Sequence, residues 1–270
     1  MIINNNGSLI SLEQINFSFS DSLLSSSAMI EERILFSGLE CAAFEEHYFS
    51  IMASMRIFRR SIPMGYTPEF LLEEIQKTLK ANAALSKTLV FFYSGLDALT
   101  HPVFYITVKP LKPDHFRAQI VEEIDVFKDF YWHSDYLSGI RVKPLPVQVV
   151  ADAYCTDHAH TDCVLVNERK EIVMSLNGFI FLRFGNTLKT PAENSGVYRD
   201  VFRTRLIEQI KTMDSFDFEQ CALNPFDVQR ADEFVVISLE KGLFAVNNYR
   251  KTTYQKEWIY AVEQRLNELI

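Results

Sequence analysis

The sequence predicts an α+β protein of two domains, a smaller one over residues 1–112 and a larger one over 113–270. Three observations carry that reading. Period-2 apolar runs and stretches of helical spacing recur in both halves. A proline-rich stretch, Lys109–Pro113 (KPLKP), punctuates the pattern between them. The 270 residues, 48% of them hydrophobic, suffice for one large core or two modest ones.

The elements follow in order. Residues 2–20 alternate apolar and polar around an Asn6-Gly7 turn, a hairpin pattern. Residues 28–44 read as a strand pair around Ser37-Gly38. Phe44, Tyr48, Ile51, Met52 and Met55 fall at helical spacing and predict a helix from about Phe44 to Arg60. In Thr67-Pro68-Glu69-Phe70 a capping threonine precedes a proline at the first helical position, and that helix runs to about Ala84. Strands are expected over 88–95 and 102–109. Beyond the boundary, Phe116–Val126 reads as strand and Val147–Thr161 as helix. Asp162–Asn167 is a short apolar strand pattern, Glu168–Glu171 a charged turn, and Ile172–Phe184 offers two more apolar runs before the hairpin signal Gly185-Asn186. A polar loop after Thr190-Pro191 leads to Gly196, with a helix from about Val197 to Met213. Apolar runs at Glu233–Leu239 and Leu243–Val246 precede an amphipathic helix over about Tyr254–Leu269.

A formal charge of −8 argues against a general nucleic-acid binder, which needs a basic face. MIINNNGSLISLEQ lacks the basic and apolar regions of a secretory signal, and no stretch approaches the ~20 apolar residues of a membrane span. Cys41, Cys155, Cys163 and Cys221 show no disulfide-framework spacing. The expectation is a cytoplasmic protein with free thiols.

The run Asp162–Arg205 carries a resemblance. Its order of strand, turn, strand, hairpin, Thr-Pro, loop and GVYRD resembles the segment that defines fold-type IV pyridoxal-phosphate proteins. That class includes branched-chain and D-amino-acid aminotransferases and aminodeoxychorismate lyase. Phe44–Ser54 (FEEHYFSIMAS) is similar to the family's "L-x-x-H-L-x-R-L-x-x-S", and Asp21…Glu32 occupies the place of its glycine-rich acidic element. The resemblance implies a D-amino-acid-aminotransferase-like architecture with an interdomain cleft, a homodimer, and pyridoxal phosphate as cofactor.

It also lets each chemical position be checked. A pyridoxal-phosphate enzyme needs a lysine amine for the Schiff base, a partner for the pyridine nitrogen, and donors or cations for the phosphate. Counting from Asp162 puts the family's lysine at Arg141, whose guanidinium stays protonated and forms no Schiff base. Lys143 lies one strand period on, ~7 Å away on the same side. The ring-partner glutamate aligns with Met174, the phosphate arginine with Ser50, and the phosphate threonine with Tyr198. The small hydroxyl residues of the late strand align near Leu239 and Glu240. Three glycines of the acidic element become Leu23, Ser27 and Met29, which implies a rebuilt loop at the pocket mouth. Gly196, at an expected helix start, keeps backbone donors that attract an anion.

Three functions stay open. The first is a degenerate relative that binds a small anionic or aromatic ligand near Arg141, Lys143, Val197, Tyr198 and Arg199. The second is an active aminodeoxychorismate lyase or amino-acid aminotransferase, with Lys143 as Schiff-base lysine and general base. The third is a structural subunit with no ligand. No metal is expected, because Cys155…Cys163, with Asp157, His158, His160 and Asp162, lacks the paired spacings of a zinc site. Arg56, Arg59 and Arg60 read as a charge match to a helix C-terminus.

Overall fold

In the computed structural model, residues 1–14, 29–96, 101–143, 145–213 and 216–269 are described. The chain clusters into two compact units, Met1–Pro113 with Ile140–Pro144, and Asp114–Gly139 with Leu145–Ile270.

The first unit begins with a hairpin of β1 (Ile2–Asn5) and β2 (Ser8–Ser11). Asn6 and Gly7 both take positive φ, as a two-residue turn between right-twisted strands requires. Next comes one nine-residue strand, β3 (Met29–Ser37). The strand pair expected around Ser37-Gly38 reduces to a single bridge, Ser37 to Glu40, because β3 pairs far along the chain instead. Helix α1 (Phe44–Ile57) ends three residues before Arg60, where Arg59 turns into the left-handed region at φ 55. Helix α2 (Pro68–Ala81) is capped as its sequence demands: Thr67 Oγ1 accepts from Phe70 N at 3.2 Å. Strands β4 (Lys87–Leu96) and β5 (Pro102–Pro110) follow.

The chain then enters the second unit as β6 (Ala118–Glu123) and β7 (Asp125–Val126), and returns to the first as β8 (Val142–Lys143). Residues 140–144 fall beyond the proline-rich boundary in sequence, yet they cluster with the smaller unit because β8 pairs with β3. The first unit's sheet has the order β2-β1-β5-β4-β3-β8. Its core packs Ile30, Ile34 and Phe36 of β3, and Phe92 and Phe104 of β4 and β5, against Ile51, Met55, Leu71 and Ile75 of the two helices.

The second unit continues with α3 (Pro146–Asp157), β9 (Cys163–Val166), β10 (Ile172–Ser175), β11 (Phe179–Phe184) and β12 (Thr187–Pro191). The β11–β12 turn falls at Gly185-Asn186, with Phe184 opposite Thr187. Then come α4 (Val201–Lys211), β13 (Asp217–Cys221), α5 (Pro225–Arg230), β14 (Glu233–Ser238), β15 (Gly242–Tyr249), β16 (Thr252–Thr253) and α6 (Trp258–Leu269). Strands β10-β9-β7 form a small sheet. Strands β13-β12-β11-β14-β15-β16 form a larger one, with β6 parallel to β15. A core that includes Val164, Ile172, Ile180, Leu182, Phe234, Val236 and Tyr249 holds this unit together.

Candidate anion site on the first unit's sheet

Strand β3 sends alternate side chains to opposite faces. Ile30, Glu32 and Ile34 meet the helices, and Met29, Glu31 and Arg33 point the other way. Glu31 is 3% exposed. A buried carboxylate survives only when cations and donors replace its water. Arg33 Nε donates to Glu31 Oε1 at 2.7 Å. The edge strand β8 brings two more cations. Glu31 N donates to the Arg141 carbonyl at 2.9 Å, and Met29 lies opposite Lys143. Arg141 Nε is then 3.7 Å from Glu31 Oε1, and Lys143 Nζ 3.7 Å from Oε2. Arg141 and Lys143 are therefore brought together, on one carboxylate that the sequence did not single out.

Two rings adjoin this cluster. Tyr93 lies opposite Glu31 in the β3–β4 register and hydrogen-bonds to it. Burial first, and the Glu31 charge second, push its phenol pKa well above 10.0. Phe91, opposite Arg33, stacks on Tyr93 with centroids 6.3 Å apart and planes 6° from parallel. The Arg33 guanidinium stands 5.5 Å from the Phe91 centroid. Lys143 differs from its neighbours. Its side chain is 44% exposed, and 3.7 Å is an ion-pair distance, not a hydrogen bond.

Ser50 belongs to a different pairing, on the helix side of β3. Its hydroxyl donates to Glu32 Oε2 at 2.9 Å, and His47 Nδ1 lies 2.6 Å from Glu32 Oε1.

The remaining predicted residues lie in the second unit. Met174 is buried in β10 opposite Leu165. Gly196 is left-handed at φ 97, and its carbonyl accepts from Trp132 Nε1 at 3.0 Å. Added at Gly196, a Cβ would lie 3.0 Å from Ser134 Cα, so only glycine fits without movement. Val197 and Tyr198 are buried, with the Tyr198 ring edge-on to Trp132 at 5.4 Å. Arg199 is committed locally. Its backbone N donates to the Gly139 carbonyl at 2.8 Å and its Nη2 to the Tyr136 carbonyl at 2.9 Å, with the guanidinium 4.3 Å from the Tyr136 centroid.

The helix expected from Val197 starts at Val201, because Asp200 is the better cap. Asp200 Oδ1 accepts from Phe202 N at 2.9 Å and Arg203 N at 3.3 Å. An anion at this helix end would meet a carboxylate already bonded to the donors it needs. Leu239 is buried, and its carbonyl accepts from His115 Nε2 at 3.1 Å. Asp21, Leu23 and Ser27 lie outside the described residues.

The Cys155–Cys163 stretch folds into a helix end and a strand start. Cys155 and Cys163 hydrogen-bond to each other, which together with burial raises the Cys163 pKa. His158 Nδ1 donates to the Tyr154 carbonyl at 2.8 Å. Asp162 is buried and accepts from Cys163 N at 2.8 Å and Asn177 N at 3.3 Å. Burial outweighs these bonds and raises its pKa from 3.8 to about 6. A folded value above the unfolded one means that the folded chain holds the extra proton between the two, so stability falls as pH rises through that window. We expect ~3 kcal/mol of stability to be lost between about pH 4 and pH 6 on this account. Urea denaturation across that range should show the slope in the wild type and its loss in Asp162→Asn; an equal slope in both would contradict it.

Comparison with known proteins adds the family. The model for amino-transferase class IV matches residues 30–249. None of the curated proteins matches the chain. Among solved structures, the branched-chain aminotransferase of Thermoproteus uzoniensis with norvaline superposes with a TM-score of 0.85 at 13% identity, covering 100% of this chain and 94% of that one. The Escherichia coli branched-chain amino acid aminotransferase gives 0.84 at 13% identity, covering 99% and 93%. A putative 4-amino-4-deoxychorismate lyase from Legionella pneumophila gives 0.80 at 13% identity, covering 95% and 96%. At such identities the likeness speaks for the fold.

Proposed function

The chain belongs to the class IV aminotransferase family, and from that premise we propose that it is a degenerate member: a binder of small aromatic carboxylates at the Glu31 face, not a pyridoxal-phosphate catalyst. The residues do not fit the cofactor as the family holds it. Arg141 offers a guanidinium where an amine is needed. Lys143 is ion-paired to Glu31, and freeing its amine would strip a buried carboxylate of one cation. Met174 cannot hold a proton on a ring nitrogen. Ser50 is bonded to Glu32, so a phosphate dianion there would face a carboxylate.

One observation carries the positive reading: a half-exposed ammonium, Lys143, ion-paired to Glu31, the carboxylate that Tyr93 of the stacked Phe91–Tyr93 pair also bonds. A carboxylate completes the hydrogen bonds that Lys143 lacks among the described residues, and an attached ring packs against the aromatic pair. The active reading, a lyase or aminotransferase using Lys143, draws on the same exposure, but needs the amine uncharged.

Calorimetric titration with benzoate, against cyclohexanecarboxylate, tests the site. We expect benzoate to bind more tightly than its saturated analogue. A charged hydrogen bond contributes ~1.5–3 kcal/mol, so Lys143→Ala should weaken benzoate roughly 10–100-fold. Equal binding by wild type and Lys143→Ala would sink the proposal. A homodimer in the cytoplasm is part of it, and sedimentation velocity reads the assembly state. No helix among the described residues is long and apolar enough to cross a membrane.

A further inference from the structure

A second site lies on the first unit, on the helix side of the sheet. It is a groove of about 500 Å³ at the C-terminal end of α1, and its lining includes Tyr48, Met52, Arg56, Arg60, Ile62 and Met64. The local fold builds it deliberately. Arg59, not a glycine, takes the left-handed conformation, and Arg60 N donates back to the Met55 carbonyl at 2.9 Å. That reversal tucks the next side chain under the loop. Arg60 is 7% exposed, and its Nη1 donates to the Ser94 carbonyl and, at 3.2 Å, to the Ser94 hydroxyl. Burial lowers the pKa of this guanidinium. Ser94 is opposite Ile30 in the register, so Arg60 sits on the face away from Glu31.

The rim has two further features. Arg56 is exposed, has no carboxylate partner among the described residues, and no carboxylate among them lines the groove. Met64 is 100% exposed, a large apolar side chain standing in water at the groove. A charge match to the helix C-terminus explains Arg56 alone. It does not explain an exposed Met64 at the same groove. An open groove of this volume, with cations and apolar side chains on its lining, has the elements of a small-molecule site.

We propose that this groove binds a small organic anion with an apolar body, its acid group at the Arg56 and Arg60 end and its hydrocarbon against Ile62 and Met64. The site is independent of the Glu31 face.

The full chain, titrated with anilinonaphthalene sulfonate and read by fluorescence, tests it, with octanoate and inorganic phosphate as competitors. We expect saturable binding, displacement by octanoate but not by phosphate alone, and roughly tenfold weaker binding in both Arg56→Glu and Met64→Glu. Both positions are exposed, so either variant serves if the other fails to fold. Unchanged affinity in these variants overturns the proposal. So does weakening by Lys143→Ala instead, which would put the probe on the other face. Phosphate competing as well as octanoate would remove the apolar part of the claim.

Discussion

Glu31→Ala is expected to lower folding stability by about 3–5 kcal/mol, the cost of breaking a buried ion pair by removing one partner. The side chains of Arg33 and Arg141 are only 11% and 14% exposed, so water cannot replace the lost carboxylate there. Three like charges would then share one sheet face. Tyr93, which is half-buried, would also lose Glu31 as the acceptor for its hydroxyl. Glu31→Gln, which keeps an acceptor and the shape, should cost clearly less. The double variant Glu31→Ala with Lys143→Ala should recover part of the loss, because it removes one of the repelling cations. Urea denaturation of the four proteins gives the result. A loss below ~1 kcal/mol for Glu31→Ala would mean that the cluster is solvated and not a buried network.

Glu233→Ala should be as damaging, by a different route. Glu233 opens β14 and is fully buried. It receives Arg183 Nε at 2.8 Å. Its two carboxylate oxygens also accept from Trp258 N at 3.0 and 2.9 Å, at the first residue of α6. One side chain thus neutralises a cation and caps a helix from outside the helix. We expect a loss of about 3–5 kcal/mol, with faster hydrogen exchange concentrated in the first turn of α6. Arg183→Ala on top of Glu233→Ala should cost less than the sum of the two, because each alone leaves a charge behind. Additive losses with unchanged exchange in α6 would contradict this account.

Much of the fold is legible because its signals are local. Thr67-Pro68 marks a helix start wherever it falls, and Gly185-Asn186 turns a hairpin with nothing but its own φ preferences. The features that escape notice are short, polar or long-range. Strand β13 (DFEQC) is a half-exposed parallel edge without alternation. Helix α5 has six residues, although Asn224 and Asp227 form a capping box that was there to be read. The pair expected at Ser37-Gly38 fails because β3 finds β4 across two helices.

The same division runs through the candidate site. Arg141 and Lys143 stand out by position in the resemblance. Their partner Glu31 does not, because in IEERI nothing distinguishes it from Glu32. Which of the two is buried among cations depends on the registers with β4 and β8, and a one-residue slip would exchange them. Arg199 illustrates the converse. It stands in GVYRD as a candidate ligand-site residue, but Gly139 and Tyr136, some sixty residues earlier, hold it in the fold.

On the proposed function, Lys143 serves this face as a paired ammonium, not as a cofactor's amine. Peptide-resolved mass spectrometry, after incubation of the full chain with pyridoxal phosphate and reduction with borohydride, tests it most directly. We expect no adduct concentrated at Lys143 and no visible absorbance band that depends on that residue. A stoichiometric adduct on Lys143, with a band abolished in Lys143→Ala, would contradict it and leave an active class IV enzyme.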